Sequence, residues 1–463
     1  MTEQLKLKLN DSKATRWGAL VIVAFTMMAA YYVNDVVAPL KTMLETDLAW
    51  SSTDFGFFTG GYSFLNVFFL MLIWGGLILD RFGIRFTGKL ATILMVGGTA
   101  LEYYAMTGLA GADATLFGVN EIFGYKTGVF VAFAGYSIFG VGAEVAGITV
   151  SKIIAKWFKG KELATAMGVQ VALARIGSQA GYAVAIPLAR AFGISTPVLL
   201  GLVLLLGGMI AFFVFAVMDK KLDKQMEAAA IAAGTEDEEE KFSFKDVKNI
   251  LVNPGFWLIA LLCVLFYSCV FPFQKFASEL MIIKYGINEN VAGTFAGLPA
   301  LGALILTPVF GGFIDKRGKS ASIMLLGSAM LICVHFIYAI PDINYWLVAI
   351  VLMIILGIAF SLVPSAMWPA VAKIFPVSQL GTAYALIFFI QNIGLWGIPT
   401  LIGWVLDAYC ISGKKPDGTN MYDYTVPMCI FTGIACLSLI VALLLKKADK
   451  KYGYKLEEPN IQK

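Results

Sequence analysis

Long apolar stretches dominate this sequence and decide what it can fold into. Twelve of them are about as long as a helix must be to cross a hydrocarbon layer of roughly 30 Å. Only 14% of the residues are charged and 59% are hydrophobic, whereas about a quarter of the residues in a soluble domain are charged. The sequence therefore predicts an all-α integral membrane protein with spans near residues 17–39, 55–79, 86–107, 127–151, 162–189, 196–218, 255–283, 291–313, 320–340, 344–372, 380–407 and 424–446.

A long polar segment divides these spans into two sets of six. It follows the sixth span and carries an acidic run at Glu236–Glu240. Such a run is typical of a solvated, partly helical linker, and a regulatory docking site is the alternative. The predicted order is a tail (1–16), a first six-helix bundle (17–218), a linker (219–254), a second six-helix bundle (255–446) and a second tail (447–463).

Basic residues are distributed unevenly between the two sets of loops. The loops on the side of the two tails are rich in them, from Lys6 and Arg16 to the run that starts at Lys446, and the other loops hold few. Because cytoplasmic loops carry the excess of Lys and Arg, both tails are predicted to be cytoplasmic. The net charge is only +4 and is scattered over short loops, so nucleic-acid binding has little support.

Two charged residues lie deep inside apolar spans. Glu144 is in the fourth span and Arg175 in the fifth, on either side of a basic turn. At about 1.5 Å per residue, Glu144 lies roughly 12–18 Å from that turn and Arg175 roughly 20 Å, so both fall near the middle of the membrane. A charge there is costly and usually marks a pathway or a substrate site. The alternative is an internal ion pair that only fastens two helices together.

Several classes of function are excluded by what the sequence lacks. It contains no phosphate-binding loop, no nucleophile constellation and no metal-ligand spacing among its six cysteines. The sequence therefore predicts no enzyme, no cofactor and no metal site. It has no ATPase domain, which excludes transport driven directly by ATP hydrolysis. A receptor or scaffold that does not transport is the remaining alternative to a secondary transporter.

The same motif occurs after the second span and after the eighth. The two copies read GGLILDRFGIR and GGFIDKRGKS, and each stands at the same place in its half of the chain. Parallel repeats of this kind are a transporter architecture. The charged residues of the two copies are Asp80, Arg81, Arg85, Asp315, Lys316, Arg317 and Lys319. The first six of these are predicted to belong to a cytoplasmic gate.

This double motif resembles the cytoplasmic signature of the major facilitator superfamily. The resemblance implies twelve transmembrane helices in two six-helix bundles, with a central site that opens to alternate sides of the membrane. It also implies that Asp80 and Arg81 belong to a latch that closes the cytoplasmic side and that they do not contact substrate.

A narrower resemblance, to the lysosomal dipeptide transporters of that superfamily, rests on four segments. It implies that Glu144 and Arg175 hold the two ends of a dipeptide, and that Tyr267 and Trp368 belong to an aromatic wall. The four segments are WFKGKELATAMGVQVALARIGS (Trp157–Ser178), VFPF (Val270–Phe273), MWPAVA (Met367–Ala372) and LGTAYALIFFIQNIGL (Leu380–Leu395).

The chain departs from that family in its longer, more acidic linker and in the lack of Asn-x-Ser/Thr sequons in its outward loops. These departures favour a prokaryotic relative in a bacterial inner membrane; a eukaryotic member would lie in the lysosomal membrane. Mammalian members of the family work with a glycosylated accessory protein, and no feature of this sequence assigns such a partner.

The chemistry of a short peptide fits the residues in these spans. A peptide is a zwitterion at neutral pH, and each charged end needs a partner once it leaves water. Arg175 offers a planar fork for a carboxylate and Glu144 an acceptor for an ammonium group. The amides of Gln391 and Asn392 are expected to face the same cavity as the aromatic wall, where such groups hold a peptide without demanding one sequence.

The leading prediction is therefore a secondary transporter of short peptides, dipeptides first among them, working by alternating access as a uniporter or with coupled protons. The second candidate is an organic-anion or monocarboxylate transporter. In that case Arg175 would hold the carboxylate and Glu144 would be structural.

Other polar residues in the spans support weaker predictions. His335 is predicted to be a packing residue rather than a proton relay. Glu102 is expected to meet water near the outer end of the third span. Lys275 and Glu279 have the spacing of an i,i+4 ion pair on a solvated face, and the lining of an outer vestibule is the alternative.

Overall fold

The computed structural model describes residues 8–111, 114–158, 161–233 and 244–459. Helices make up most of this part of the chain. Those of the first half are α1 (Lys13–Val36), α2 (Lys41–Asp47), α3 (Ser52–Phe68), α4 (Met71–Thr107), α5 (Thr127–Trp157), α6 (Leu163–Phe192) and α7 (Thr196–Ala233). Those of the second half are α8 (Phe244–Val252), α9 (Pro254–Tyr285), α10 (Glu289–Ala296), α11 (Leu298–Arg317), α12 (Ser320–Ala339), α13 (Trp346–Ile374), α14 (Val377–Tyr409) and α15 (Thr425–Tyr452).

Short pieces of other structure connect some of these helices. Single turns of 3-10 helix occur at Leu9–Asp11 and Ala38–Leu40. Two small antiparallel hairpins lie in loops, one before α5 and one before α15. Their strands are β1 (Glu121–Ile122), β2 (Tyr125–Lys126), β3 (Ile411–Lys414) and β4 (Asn420–Tyr422).

The helices form the twelve transmembrane spans of two six-helix bundles. Among the described residues, nine helical stretches are long and apolar enough to cross a membrane, and α3 with α4 forms a bent pair at 58°. That pair contains two spans. The second span consists of α3 and the part of α4 before Gly83, and the third span is the part of α4 after this non-helical residue. The remaining span is α6, which is more polar than the others and carries Arg175.

The second span breaks where the sequence predicted a continuous helix. The stretch predicted at 55–79 is interrupted at Phe69 and Leu70, and Leu70 adopts a left-handed conformation with φ of 53°. A residue other than glycine in that region costs about 1–2 kcal/mol. The half of this span that follows therefore runs in a direction different from that of α3.

The repeated motif places a glycine with positive φ at the same point in each half. Gly83 has φ of 73° and Gly318 has φ of 70°. Each follows the Asp-basic part of its motif and separates the second and third spans of its bundle. Glycine reaches positive φ at little cost, so this position explains why both copies contain it.

The central polar segment begins as helix. α7 continues to Ala233, well beyond the predicted end of the sixth span, and α8 precedes the seventh span. The acidic run Glu236–Glu240 lies outside the described residues.

Both tails pack at the same end of the bundles, which we call the terminal side. The backbone N–H of Leu9 donates to the side chain of Gln225 near the end of α7, at 2.8 Å. Tyr454 donates to the side chain of Asn253 before α9, at 3.0 Å. The other end of the bundles is called the opposite side.

On the opposite side the two bundles approach until their backbones touch. A Cβ added to Gly56 of α3 would lie 2.4 Å from the carbonyl oxygen of Pro399 in α14. A Cβ added to Gly293 of α10 would lie 2.2 Å from the carbonyl oxygen of Tyr182 in α6. Only glycine fits at such contacts, and they bring both pairs of helices together across the boundary between the bundles.

Buried charges also join the bundles on the opposite side. Lys41 of α2 pairs with Glu279 of α9 at 2.5 Å, and the two residues are 1% and 2% exposed. Asp407 of α14 accepts hydrogen bonds from the backbone N–H groups of Ser52 and Thr53 at 3.3 and 2.5 Å. A carboxylate of the second bundle thus caps the N-terminus of α3 in the first.

The Asp407 cap predicts a measurable effect on this closure. Asp407→Asn removes the negative charge that faces the positive end of the α3 dipole and should favour opening by about 1 kcal/mol, or about fivefold. A Thr59→Cys reporter lies in the cavity on that side. Its labelling by an impermeant maleimide added from the opposite side should rise by that factor.

Asp417→Asn is the matched control, because the hydrogen bonds of Asp417 within the described part of the chain go to Thr419 in its own loop. Labelling is measured against the parent chain without the reporter. Equal labelling in the Asp407 and Asp417 variants would contradict a closing role for Asp407.

Candidate functional site

A cavity of about 600 Å³ lies between the two bundles. Its walls come mainly from α1, α3, α5 and α6 on one side and from α9, α13 and α14 on the other. Exposed Ser151 and Val171 line it toward the terminal side, and Asn34 and Lys275 line it toward the opposite side. The cavity is therefore open to the terminal side and ends beneath the closed contacts described above.

The structure places all six residues predicted for substrate contact around this one cavity. Their part in binding stays a prediction, and their positions are what the structure adds. They are Glu144, Arg175, Tyr267, Trp368, Gln391 and Asn392.

Glu144 reaches the cavity from the middle of α5. Its carboxylate accepts a hydrogen bond from the hydroxyl of Tyr62 in α3 at 3.0 Å. Within the described residues no Lys or Arg forms an ion pair with it. Three acceptor positions of a carboxylate therefore remain for other donors.

Arg175 reaches the same cavity from α6. Its guanidinium carbon is 5.5 Å from the ring centre of Tyr31 and 5.0 Å from that of Phe360. No ion pair or hydrogen bond of this guanidinium to another described residue is present. The internal Glu144–Arg175 ion pair, considered above as an alternative, does not form in this structure.

Aromatic side chains build the wall contributed by the second bundle. The indole N–H of Trp368 donates to the hydroxyl of Tyr267 at 3.3 Å. Trp368 also stacks on Phe388 at 4.8 Å, and Tyr267 stacks on Phe271 at 5.6 Å. The wall is thus a packed aromatic surface whose few polar atoms already bond to one another.

The two amides on α14 differ in how free they are. Asn392 is 2% exposed and donates to the carbonyl of Phe388 at 2.9 Å, which fixes its orientation. The Asn392 oxygen has no hydrogen-bond partner among the described residues. The Gln391 oxygen accepts a weak bond from the Cys263 thiol at 3.6 Å. Each amide therefore keeps bonding capacity for a ligand, Asn392 in a fixed orientation and Gln391 in a freer one.

A second charged pair closes the cavity toward the opposite side. Lys275 of α9 pairs with Asp35 of α1 at 3.2 Å and donates to the backbone carbonyl of Asn34 at 2.6 Å. Ser178 donates to the other carboxylate oxygen of Asp35 at 2.6 Å, and the Tyr136 hydroxyl lies 3.4 Å from Lys275. This cluster joins the two bundles directly above the cavity.

The predicted i,i+4 pair of Lys275 and Glu279 on a solvated face is wrong. Both residues are buried, and each pairs with a residue of the first bundle, Asp35 and Lys41 respectively. Sequence spacing within one helix revealed no such partners. The presence of Asp35 inside an apolar span was the signal that could have found the pair.

Two further polar residues, Glu102 and His335, are fully buried. Glu102 was expected to meet water, but it is fully buried and neither carboxylate oxygen has a hydrogen-bond partner among the described residues. His335 is also fully buried, packs against Phe273 and Phe431, and bonds through Nε2 to the carbonyl of Cys269 at 3.0 Å. Its surroundings are those of a packing residue.

The charged residues of the repeated motif lie on the terminal side and are not among the residues that line the cavity. Asp80 pairs with Lys152 of α5 at 3.0 Å, and Arg85 pairs with Asp223 of α7 at 2.6 Å. Both pairs stay within the first bundle, in keeping with an open terminal side. Their role as a gate stays a prediction. Of the other motif residues, Arg81 lies over the ring of Phe82, Asp315 has a partner, and Lys316 and Arg317 are exposed in the last turn of α11.

The sequence of the chain matches the model of a known protein family. The model described as Major Facilitator Superfamily matches residues 20–399 and 276–458. The chain belongs to the Major Facilitator Superfamily. Within this superfamily it is similar to a human protein named lysosomal dipeptide transporter MFSD1, with 29% identity over 95% of this chain and 88% of that protein. The chicken (Gallus gallus) protein of the same name is 33% identical over 59% of this chain and 62% of that protein.

Solved structures of other superfamily members share the fold. A point mutant of the nucleoside transporter NupG has a TM-score of 0.68 at 12% identity and covers 92% of this chain and 98% of its own. A bacterial homologue of the human lysosomal transporter Spinster has a TM-score of 0.62 at 14% identity, over 98% and 99% of the two chains. As a member of the superfamily, the protein is a multi-pass membrane transporter and not an enzyme.

The Asp35–Lys275 pair predicts a loss of stability when one partner is removed. Asp35→Asn leaves the Lys275 ammonium buried without its carboxylate, which typically costs about 3–5 kcal/mol. The melting temperature of the purified protein in detergent should fall accordingly. In the double variant Asp35→Asn/Lys275→Met no charge is left unpaired, so much of the loss should be recovered. A double variant no more stable than the single one would argue against the pairing.

Proposed function

We propose that this superfamily member carries short peptides, dipeptides first among them, across a membrane by alternating access. The observation that carries the proposal is that Glu144 and Arg175 line one cavity without pairing with each other. A carboxylate and a guanidinium that face a common space match the two charged ends of a peptide. The cavity volume lies within the range of ligand sites, about 300–1,000 Å³.

The balance of charge favours a zwitterion over an anion. The ionisable groups of the cavity and of the pair that closes it are two acids, Glu144 and Asp35, and two bases, Arg175 and Lys275. A zwitterion adds no net charge to this set. A monocarboxylate would add one uncompensated negative charge in a region of low dielectric, which is unfavourable.

The relatives support the same substrate class. The matched proteins from human and chicken are both named lysosomal dipeptide transporters. The residues that the sequence resemblance assigned to the peptide ends are the ones that reach the cavity here.

The transport cycle that we propose uses the two sides of the cavity in turn. The structure is the state open to the terminal side, and entry from the opposite side requires the Asp35–Lys275 and Lys41–Glu279 contacts to part. Asp80, Arg81, Arg85, Asp315, Lys316 and Arg317 then form the closing surface on the terminal side. We place that side in the cytoplasm of a bacterial cell, with the protein in the inner membrane, because its loops are rich in Lys and Arg.

Uptake by proteoliposomes tests the substrate. Labelled alanyl-alanine should enter liposomes that contain the wild type in a saturable way. Glu144→Gln and Arg175→Ala each remove one charged hydrogen bond worth about 1.5–3 kcal/mol, so the ratio kcat/KM should fall about 10- to 100-fold. Glu121→Gln, in the exposed strand β1, is the matched control and should leave uptake unchanged.

The same preparation separates the alternatives. A wild type that ignores the dipeptide but transports a labelled monocarboxylate, with Glu144→Gln still active, would make the protein an organic-anion transporter. An imposed pH gradient distinguishes the two modes of peptide transport. Accumulation that follows the gradient indicates coupled protons, and mere equilibration of the peptide indicates uniport.

A further inference from the structure

The guanidinium of Arg175 is held by two aromatic rings, one from each bundle. Tyr31 of α1 and Phe360 of α13 both present a ring face to its cation, at 5.5 and 5.0 Å. These are attractive contacts worth about 0.5–2 kcal/mol each, and more when water is excluded. Arg175 is thus fixed in place without a carboxylate.

This way of holding an arginine leaves its hydrogen-bonding capacity unused. A structural carboxylate would occupy the fork of N–H donors and neutralise the charge. Ring faces do neither, because the attraction is to the positive charge as a whole. Among the described residues none accepts a hydrogen bond from Arg175, so its five N–H donors stay available to a ligand.

Phe360 differs from Tyr31 in its place relative to the cavity. Tyr31 lines the cavity, whereas Phe360 does not and is only 3% exposed. The Phe360 ring packs behind the aromatic wall, against Phe271 at 5.3 Å and Tyr267 at 6.2 Å. Any effect of Phe360 on a ligand therefore passes through the residues that it supports.

We propose that Phe360 is a positioning residue that holds the Arg175 guanidinium, unpaired and charged, for the carboxylate of the substrate. The inference rests on the proposed peptide transport, because it assigns a group behind the same site. It makes Phe360 a determinant of selectivity for ligands with a free carboxylate, although the ring touches no ligand itself.

The test compares two probes that differ only in the carboxylate. Alanyl-alanine and its C-terminal amide are each measured as competitors of labelled alanyl-alanine uptake in proteoliposomes. Phe360→Leu should weaken alanyl-alanine about tenfold, the loss of one buried cation–π contact, and should leave the already weak amide unchanged. Phe360→Tyr keeps a ring face and should retain wild-type selectivity.

Phe273→Leu is the matched control, since Phe273 is a fully buried ring of the same bundle that packs on His335 and not on Arg175. It should affect both probes equally. If Phe360→Leu does not fold, Phe360→Met, which is close in volume, takes its place. Equal weakening of both probes by the Phe360 variant, or selectivity like that of Phe273→Leu, would overturn the positioning role alone. If liposomes with the wild type show no saturable uptake of labelled alanyl-alanine, the proposed function is overturned, and this inference with it.

Discussion

Charge buried in an apolar medium must find a partner, and the cost of leaving it unpaired governs this structure. Lys41 and Lys275 are almost inaccessible to water, and each pairs with a carboxylate of the other bundle, Glu279 and Asp35 respectively. Lys41 also pairs with Glu45 of its own bundle. The two pairs between the bundles draw them together on the opposite side. On the terminal side, by contrast, Asp80 and Arg85 of the first motif copy form their ion pairs inside the first bundle, and the cavity opens there.

The glycine contacts let helices of the two bundles approach closely enough for these ion pairs to form. Side chains at Gly56 or Gly293 would push apart helices that now touch through their backbones. With the helices in contact, Asp407 can reach the N–H groups at the start of α3, and Lys41 can reach Glu279. Short-range packing and buried charge therefore act on the same boundary, and neither would close it in the same way alone.

The sequence predicted the fold and much of the cavity, and the reason is physical. Apolar length sets the number of spans, and the twice-repeated motif fixes the turns at Gly83 and Gly318. Glu144 and Arg175 stood out because a charge inside a span is rare. Lys275 and Glu279 were misread because spacing along one helix reports only local neighbours, whereas their partners belong to the other bundle. The break at Phe69 and Leu70 was not predicted, because neither residue is a glycine or proline. The position of Phe360 beside Arg175 was not predicted either, because a phenylalanine in an apolar span is typical of core packing.

The polarity of α6 has a consequence for how the protein is made. This helix carries Gln170, Arg175 and Gln179, and it is the span that falls below the apolar character of the other helices. A segment of that kind partitions poorly into lipid when it leaves the translocon alone. We therefore expect α6 to enter the bilayer packed against α1, whose backbone it meets closely at Gly177 and Gly181. Arg175, which brings a positive charge into the cavity, thus makes the insertion of its own helix depend on a helix made earlier.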